Sequence, residues 1–179
     1  MNPNNIIEKY YTPGSEVYNV LFTHSKMVMK KAVAVASKFP EIDRDFIREA
    51  ALLHDIGIIF TKASGIYCYG KHNYLCHGYL GREILDREGL TAHALVCERH
   101  TGVGLTKKEI VEQNLPLPHR DMRPISLEEQ IICYSDNFYS KNINFLEQEK
   151  SIEQITKQLE KFGKDKVSTF LKWHEQFKC

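Results

Sequence analysis

Apolar residues recur three and four positions apart along most of the chain, a spacing that places them on one face of an α-helix. The pattern predicts a first long helix between Ser15 and Pro40. A second helix is predicted after Asp43, a favourable N-cap residue, and is expected to stop near Gly57 in a left-handed C-cap. No stretch shows a strong alternation of apolar and polar residues, so the sequence predicts an all-α fold.

Further amphipathic stretches predict helices downstream, with turn residues between them. They cover about 76–88, a short segment capped by Thr91, segments opening at Thr106 and at Ser126, and two segments beyond residue 150 separated by Gly163. Glu109 and Glu129 stand three residues after their caps, which fits capping boxes. Residues 60–74 are predicted to form a long loop of the kind that often carries function.

Composition narrows the class of protein without naming a substrate. The chain has 179 residues, of which 42% are hydrophobic and 26% charged, which suits one globular domain. Its 24 basic and 23 acidic residues give a formal charge of +1, so no strong field attracts nucleic acid or membrane. There is no signal-type N-terminus and no apolar run of the ~20 residues that span a bilayer. These features predict a soluble cytoplasmic protein.

The cysteines argue against a disulfide framework or a cysteine zinc site. Their number is odd and none forms a CxxC pair, so reduced and mostly buried thiols are expected. They are Cys68, Cys76, Cys97, Cys133 and Cys179.

The pair His54-Asp55 carries the most chemical information. It ends an apolar helical stretch, and Ile56 and Gly57 follow it. A carboxylate in apolar surroundings is costly unless it has a partner, and a bound cation would supply one. Imidazole together with carboxylate suits Zn, Fe, Mn and similar divalent ions, so the pair predicts a metal site.

Four further residues are polar groups on apolar faces. His24 falls on the apolar face of the first predicted helix, and Asp136 lies within the mostly apolar segment 131–139. His77 and His100 occupy helix positions flanked by apolar residues. Several such residues can share one metal. The ordinary alternatives are satisfied core histidines, a helix cap and partly exposed helix histidines.

The chain resembles the H…HD…D signature of the HD superfamily of metal-dependent phosphohydrolases. The residues that match it, in order along the chain, are His24, the pair His54-Asp55 followed by Ile56 and Gly57, and Asp136. The resemblance implies a single-domain helical bundle of the HD-domain type over 1–179. Its core would cover about 15–140, with 141–179 as a C-terminal helical extension packed on it. The chain is similar to small HDIG-type predicted hydrolases of archaea and anaerobic bacteria, and more distantly to bacterial diadenosine tetraphosphate hydrolases.

The extra histidines extend the resemblance to binuclear HD enzymes. His77 and His100 lie between the pair and the last aspartate, where those enzymes carry additional histidine ligands. The resemblance implies one or two divalent transition-metal ions, among Fe, Mn, Zn, Ni and Co, with Asp55 bridging. It implies one metal on His24, His54 and Asp136, and the other on His77 and His100. The Gly-Tyr-Pro element of cyclic-di-GMP phosphodiesterases is absent.

The predicted activity is hydrolysis of a phosphomonoester or phosphodiester by metal-activated water, and the predicted substrate is a nucleotide or similar metabolite. Asp55 is a candidate catalytic residue as the ligand expected to bridge the metal ions. Lys62 and Arg99 are the other candidates, because phosphoryl transfer needs positive charge beside the non-bridging oxygens. Lys62 also fits a plain surface lysine. The sequence leaves open whether His93 or His119 joins the site, and whether three loop tyrosines stack a base or only close the loop. These are Tyr67, Tyr69 and Tyr74.

Two rival hypotheses keep the fold. A catalytically silent nucleotide-binding regulatory module is the first, although a complete set of ligand residues argues against it. An RNA-associated hydrolase is the second, and the near-zero net charge disfavours it. The expected partner is a small phosphate ester, with no membrane and no nucleic acid, and the sequence leaves a homodimer open.

Overall fold

The computed structural model describes residues 1–178, and these residues are mainly helical, which confirms the all-α class. Their α-helices are α1 (Pro3–Ile7), α2 (Glu16–Ala36), α3 (Arg44–Leu53), α4 (His77–Arg87), α5 (Thr91–Arg99), α6 (Lys107–Glu112), α7 (Leu127–Asp136), α8 (Ile152–Glu160) and α9 (Lys164–Phe177). Short 3₁₀ helices occupy Ile56–Phe60, Ser64–Ile66, Tyr74–Cys76 and Ile143–Phe145. In the stretch expected to be a loop, β1 (Lys62–Ala63) and β2 (Cys68–Tyr69) pair antiparallel.

Two large apolar clusters form most of the core, and α2 contributes to both, while a third and smaller cluster consists of Ile110, Leu117 and Met122. Leu21 packs in a cluster with α1, the end of α3, α4 and α5, while Val28 packs in a larger one with α3, α7, α8 and α9. His24 stands between these two positions on the same helix and is fully buried. His24 therefore lies at the boundary between the two apolar clusters.

Gly57 does not form the left-handed C-cap that the sequence predicted, because its φ is not positive. The 3₁₀ helix that contains it runs against the start of α4. A Cβ at Gly57 would lie 2.2 Å from the carbonyl oxygen of His77 and 2.4 Å from the amide nitrogen of Gly81. Glycine is required here by the close approach of two backbones and not by a turn.

The capping predictions had mixed outcomes. Thr106 and Glu109 form the predicted capping box. Ser126 caps α7, but its box is incomplete because the Glu129 carboxylate accepts a hydrogen bond from the amide of Ile125 and pairs with an arginine instead. The prediction for Thr91 was wrong: it is the first residue of α5 and forms no side-chain cap.

The C-terminal helices pack on the larger cluster through Ile155, Leu159 and Phe170. The buried ammonium of Lys166 on α9 donates to the carbonyl of Gly104 at 2.9 Å and pairs with Glu109 at 2.5 Å. The division into a core and an extension stays a prediction. Within residues 1–178, no helix combines the length and apolar character that crossing a membrane requires. Four of the cysteines are free and buried as predicted, and Cys179 lies outside the described residues.

Candidate metal centre

Five of the six residues proposed as metal ligands lie at helix ends. His54 is the C-cap of α3 and Asp55 follows it, while His100 is the C-cap of α5. His77 opens α4 and Asp136 closes α7. Only His24 projects from the middle of a helix. The ends of these helices meet at one point, so the fold brings together residues that are more than 100 positions apart.

A first group consists of His24, His54, Asp55 and Asp136, whose ligand-type atoms all lie within 4.8 Å of one another. The Nε2 atom of His24 lies 2.9 Å from Asp136 Oδ1 and 3.2 Å from Asp55 Oδ2. The Nε2 atom of His54 lies 3.1 Å from Asp55 Oδ2 and 3.4 Å from Asp136 Oδ1. Two imidazoles therefore face two carboxylates.

A second group consists of Asp55, His77 and His100. The two Nε2 atoms lie 3.0 Å apart, and each is 3.4 Å from Asp55 Oδ1. Asp55 thus turns one carboxylate oxygen to each group. This is the arrangement of a carboxylate that bridges two cations.

The spacing within both groups suits a divalent metal. Metal–nitrogen and metal–oxygen distances of about 2.0–2.2 Å, at tetrahedral or octahedral angles, place neighbouring ligand atoms about 3.0–3.5 Å apart. The histidine–aspartate contacts in both groups and the His77–His100 contact run from 2.9 to 3.4 Å. These separations are in the range that ligands of one ion have.

Backbone carbonyls orient three of the imidazoles in the same way. The Nδ1 atoms of His54, His77 and His100 each lie 2.7 Å from the carbonyl oxygen three residues earlier. A carbonyl only accepts hydrogen bonds, so in the neutral ring Nδ1 carries the proton and Nε2 keeps its lone pair. The lone pairs then point into the cluster, as metal ligation requires.

Several buried polar atoms of the cluster lack a hydrogen bond among the described residues. They are His54 Nε2, both carboxylate oxygens of Asp55 and His24 Nδ1. Asp55 does have ion-pair contacts, of which the closest is the Lys141 ammonium at 2.7 Å from Oδ2. Unsatisfied buried polar groups are rare because they cost stability. A cation between the two groups would satisfy Asp55 and His54 together.

The pKa values show that the cluster demands positive charge. Burial would lower the pKa of His54, yet the charges of Asp55 and Asp136 raise it to about 10. Burial would raise the pKa of Asp55, but neighbouring Lys141 and His54 hold it well below its ordinary range. In contrast, burial lowers the pKa of His77 to about 3. A proton on His54 and the ammonium of Lys141 thus balance the carboxylates.

No sequence pattern indicated a role for Lys141. Its ammonium lies 2.7 Å from Asp55 Oδ2 and 4.0 Å from Asp136 Oδ1, and the side chain is 14% exposed. It stands between Ser140 and Asn142 in a polar segment, which resembles a solvated loop. Only the tertiary structure brings it into the centre.

The structure places the other candidate residues outside the two groups. Lys62 is an exposed residue of β1. The guanidinium of Arg99 binds both carboxylate oxygens of Glu129, at 2.9 and 3.0 Å. His93 pairs with Glu49 at 3.3 Å, and the remaining candidate His119 is exposed. The catalytic roles of Lys62 and Arg99 stay predictions.

The three loop tyrosines have different environments. Tyr69 is 76% exposed, and Tyr67 adopts a left-handed conformation with φ of 59°. Tyr74 is half-buried, and its ring stacks on His77 with centroids 4.8 Å apart. Of the three, Tyr74 is the one that contacts the centre.

Comparisons with known proteins identify the family and the fold. Residues 21–140 match the family model described as the HD domain. An uncharacterized protein of Methanocaldococcus jannaschii is 36% identical over 148 residues, which are 80% of this chain and 76% of that protein. The HD domain of the L. monocytogenes phosphodiesterase PgpH, solved in complex with cyclic-di-AMP, is similar with a TM-score of 0.50 and 17% identity. The match covers 89% of this chain and 94% of that one.

Two relatives are named tRNA (cytidine(56)-2'-O)-methyltransferase. That of Picrophilus torridus is 34% identical over 123 residues, which are 68% of this chain and 32% of the relative. That of Thermoplasma volcanium is 33% identical over 135 residues, which are 75% of this chain and 35% of the relative. The chain therefore spans about a third of the length of these two proteins.

Helices whose ends enclose four histidines and two aspartates define an all-α protein with a buried cluster of the metal-binding type. The family match gives this class its name. The chain belongs to the HD domain family.

Proposed function

We propose that this chain is a metal-dependent phosphohydrolase that cleaves a phosphomonoester or phosphodiester of a nucleotide or similar small metabolite. The observation that carries the proposal is the carboxylate of Asp55, which serves two ligand groups at once. A structural metal site is closed by four protein ligands and has no need of a second, three-ligand group beside it. A pair of adjacent cation sites is instead typical of phosphoryl-transfer chemistry.

The residues of the first group, His24, His54 and Asp136 with Asp55, would hold one divalent ion, and His77 and His100 with Asp55 the other. Ions bound there would supply a water of lowered pKa and positive charge beside the phosphoryl oxygens. Fe, Mn, Zn, Ni and Co all accept this mixed imidazole and carboxylate set. The donor set alone therefore supports a transition metal without selecting one.

The chain's own residues contribute orientation and exclusion of water. The Nδ1 contacts to backbone carbonyls fix the imidazole rings before any ion binds, which reduces the reorganisation needed on loading. His24, His54 and Asp55 have no solvent exposure, so charge interactions around the reacting group are strong. Lys62, exposed on β1, and Arg99, paired with Glu129, remain proposals as residues that balance phosphate charge.

The first experiment is elemental analysis of anaerobically purified protein, followed by a phosphate-release screen on an aryl phosphate, nucleotides, dinucleotides and sugar phosphates. We expect about two transition-metal ions per chain, since two adjacent groups are present. His54→Ala and Asp55→Ala should lose both metal and activity, because each removes a ligand that nothing nearby replaces.

The matched control is His72→Ala, which also removes an imidazole but from an exposed position. It should keep both properties. Full turnover after metal stripping, or in either of the two cluster variants, would contradict the proposal. Tight nucleotide binding with no turnover under any metal would favour the silent regulatory module instead.

A second candidate is an RNA-linked substrate, which the names of the two methyltransferase relatives favour. A formal charge of +1 argues against it, because RNA binding relies on many phosphate contacts. The salt dependence of activity separates the two candidates. Hydrolysis of free nucleotides that hardly changes between low and high salt supports the metabolite substrate.

A further inference from the structure

Lys141 is a buried cation at the centre of the site and it comes from outside the helices that build the cluster. It follows α7 by five residues, in the segment that leads to the 3₁₀ helix Ile143–Phe145. Its ammonium pairs with Asp55 and Asp136, at 2.7 and 4.0 Å. These are the two carboxylates that the proposed ions would also bind.

Charge balance assigns Lys141 a different partner once ions are present. A buried ammonium is costly without an anion beside it. In the structure Asp55 and Asp136 provide that anion. Divalent ions would take both carboxylates as ligands, and the ammonium, now beside cations, would need a new anionic neighbour.

Exposure of the cluster shows where such an anion can enter. His24, His54, Asp55, His77 and His100 have side chains that are at most 4% exposed. Asp136 and Lys141 are 15% and 14% exposed, which makes them the open edge among these seven side chains. A phosphate group that reaches the centre from solvent passes the Lys141 ammonium.

Nearby contacts hold Lys141 at this edge. The half-buried Tyr74 stacks its ring on His77, and the positive charge of Lys141 acts on its phenol by lowering its pKa against the effect of burial. The segment that carries Lys141 is closed at its base, where the Lys150 amide donates to the Phe138 carbonyl at 2.8 Å. The ammonium is thus restrained by the fold and is not at the end of a free loop.

We propose that Lys141 is the phosphate-binding residue of this centre: its ammonium binds a non-bridging phosphoryl oxygen of the substrate and of the inorganic phosphate product. The proposal rests on the proposed phosphohydrolase function and adds the residue that recognises the phosphoryl group. It adds Lys141 to Lys62 and Arg99 as a residue that balances the charge of the phosphoryl group.

The test compares metal-loaded wild type with Lys141→Met, Lys141→Arg and the control Lys172→Met, which removes a charge from an exposed position on α9. Elemental analysis gives metal per chain, calorimetric titration gives the affinity for inorganic phosphate, and turnover of an aryl phosphate gives kcat and KM. We expect Lys141→Met to keep its metal and bind phosphate about 10- to 100-fold more weakly. Lys141→Arg should recover most of that affinity, and Lys172→Met should match wild type.

Two results overturn the assignment. One is wild-type phosphate affinity in Lys141→Met, and the other is loss of metal in parallel with phosphate, which would make Lys141 a positioning residue for Asp55. If circular dichroism shows that Lys141→Met does not fold, Lys141→Gln and Lys141→Arg are compared instead. Weaker phosphate binding in the glutamine variant alone supports the assignment. Equal phosphate binding in the two variants overturns it. Absence of turnover by wild type overturns the proposed function and leaves the phosphate titration interpretable. Full turnover with unchanged phosphate affinity overturns the role of Lys141 alone.

Discussion

At the scale of single residues, polar groups on apolar faces were the informative signal. His24, His54 and Asp55 could be singled out because burying them without partners would be costly, and the structure buries all three. Lys141 could not, because its neighbours in sequence are polar and a lysine there is ordinarily solvated. Its burial results from contacts with residues that are distant in sequence, and local sequence patterns carry no information about such contacts. The shared Nδ1 contacts of the histidines were equally invisible in the sequence.

The neutral His77 makes the metal-free protein sensitive to acid. Its pKa is about 3 in the fold because burial disfavours its charge, whereas the unfolded chain has the ordinary value of 6.5. Between these values the unfolded chain binds a proton that the fold does not, so stability falls as pH drops below 6.5, by up to about 1.4 kcal/mol per pH unit. His77→Asn keeps a donor for the Tyr74 carbonyl but cannot titrate. Urea unfolding in chelator from pH 7 to pH 5 should give a smaller slope for this variant, and equal slopes would refute the assignment.

At the scale of elements, the centre depends on where helices end. The periodic pattern located α2, α3 and α7 and placed the histidine-aspartate pair at a helix end. It misjudged the reason for Gly57, since a glycine after a helix fits both a left-handed cap and a close crossing. Only the position of α4 distinguishes the two, and this position is not encoded in the local sequence. The short strands β1 and β2 were not predicted, because a strand of two residues is too short to show an alternation of apolar and polar positions.

Gly57→Ala should destabilise the protein through this crossing. The new Cβ would meet the His77 carbonyl and the Gly81 amide well inside contact distance, and both are backbone atoms that cannot turn away. Overpacking of this kind costs roughly 1–3 kcal/mol or more. Gly65→Ala is the control, since a Cβ there meets nothing within 4 Å. Denaturant midpoints of the two variants measure the difference, and a Gly57→Ala protein as stable as the control would show that α4 can shift.

At the scale of the whole molecule, the chain joins two apolar clusters with the polar centre between them. The sequence predicted the helical class and the family, and both are confirmed. The resemblance implied that the C-terminal helices pack on the core, but it did not say which residues they contact, because an amphipathic pattern tells which face is buried and not against what. The contacts of α8 and α9 with the larger cluster had to come from the structure.

The contribution of α9 can be measured with two phenylalanines. Phe170 is fully buried in the larger cluster, whereas Phe162, just before α9, is 71% exposed. Phe170→Ala should lower the free energy of unfolding by about 3–5 kcal/mol, and Phe162→Ala should change it little. Equilibrium urea unfolding of both variants gives the comparison. Similar values for the two would mean that the C-terminal helices contribute little to the stability of the rest.

Asp55 turns one carboxylate oxygen to His54 and the other to His77 and His100. The two ligand groups therefore share one side chain and cannot adjust independently. A carboxylate is planar and rigid, so any rotation that improves its fit on one side withdraws it from the other. Loading of one half would therefore change the position of the carboxylate oxygen that the other half offers to its own cation. Loading of the two halves should accordingly be coupled, and evolutionary exchange of the metal on one side would have to be accommodated on both.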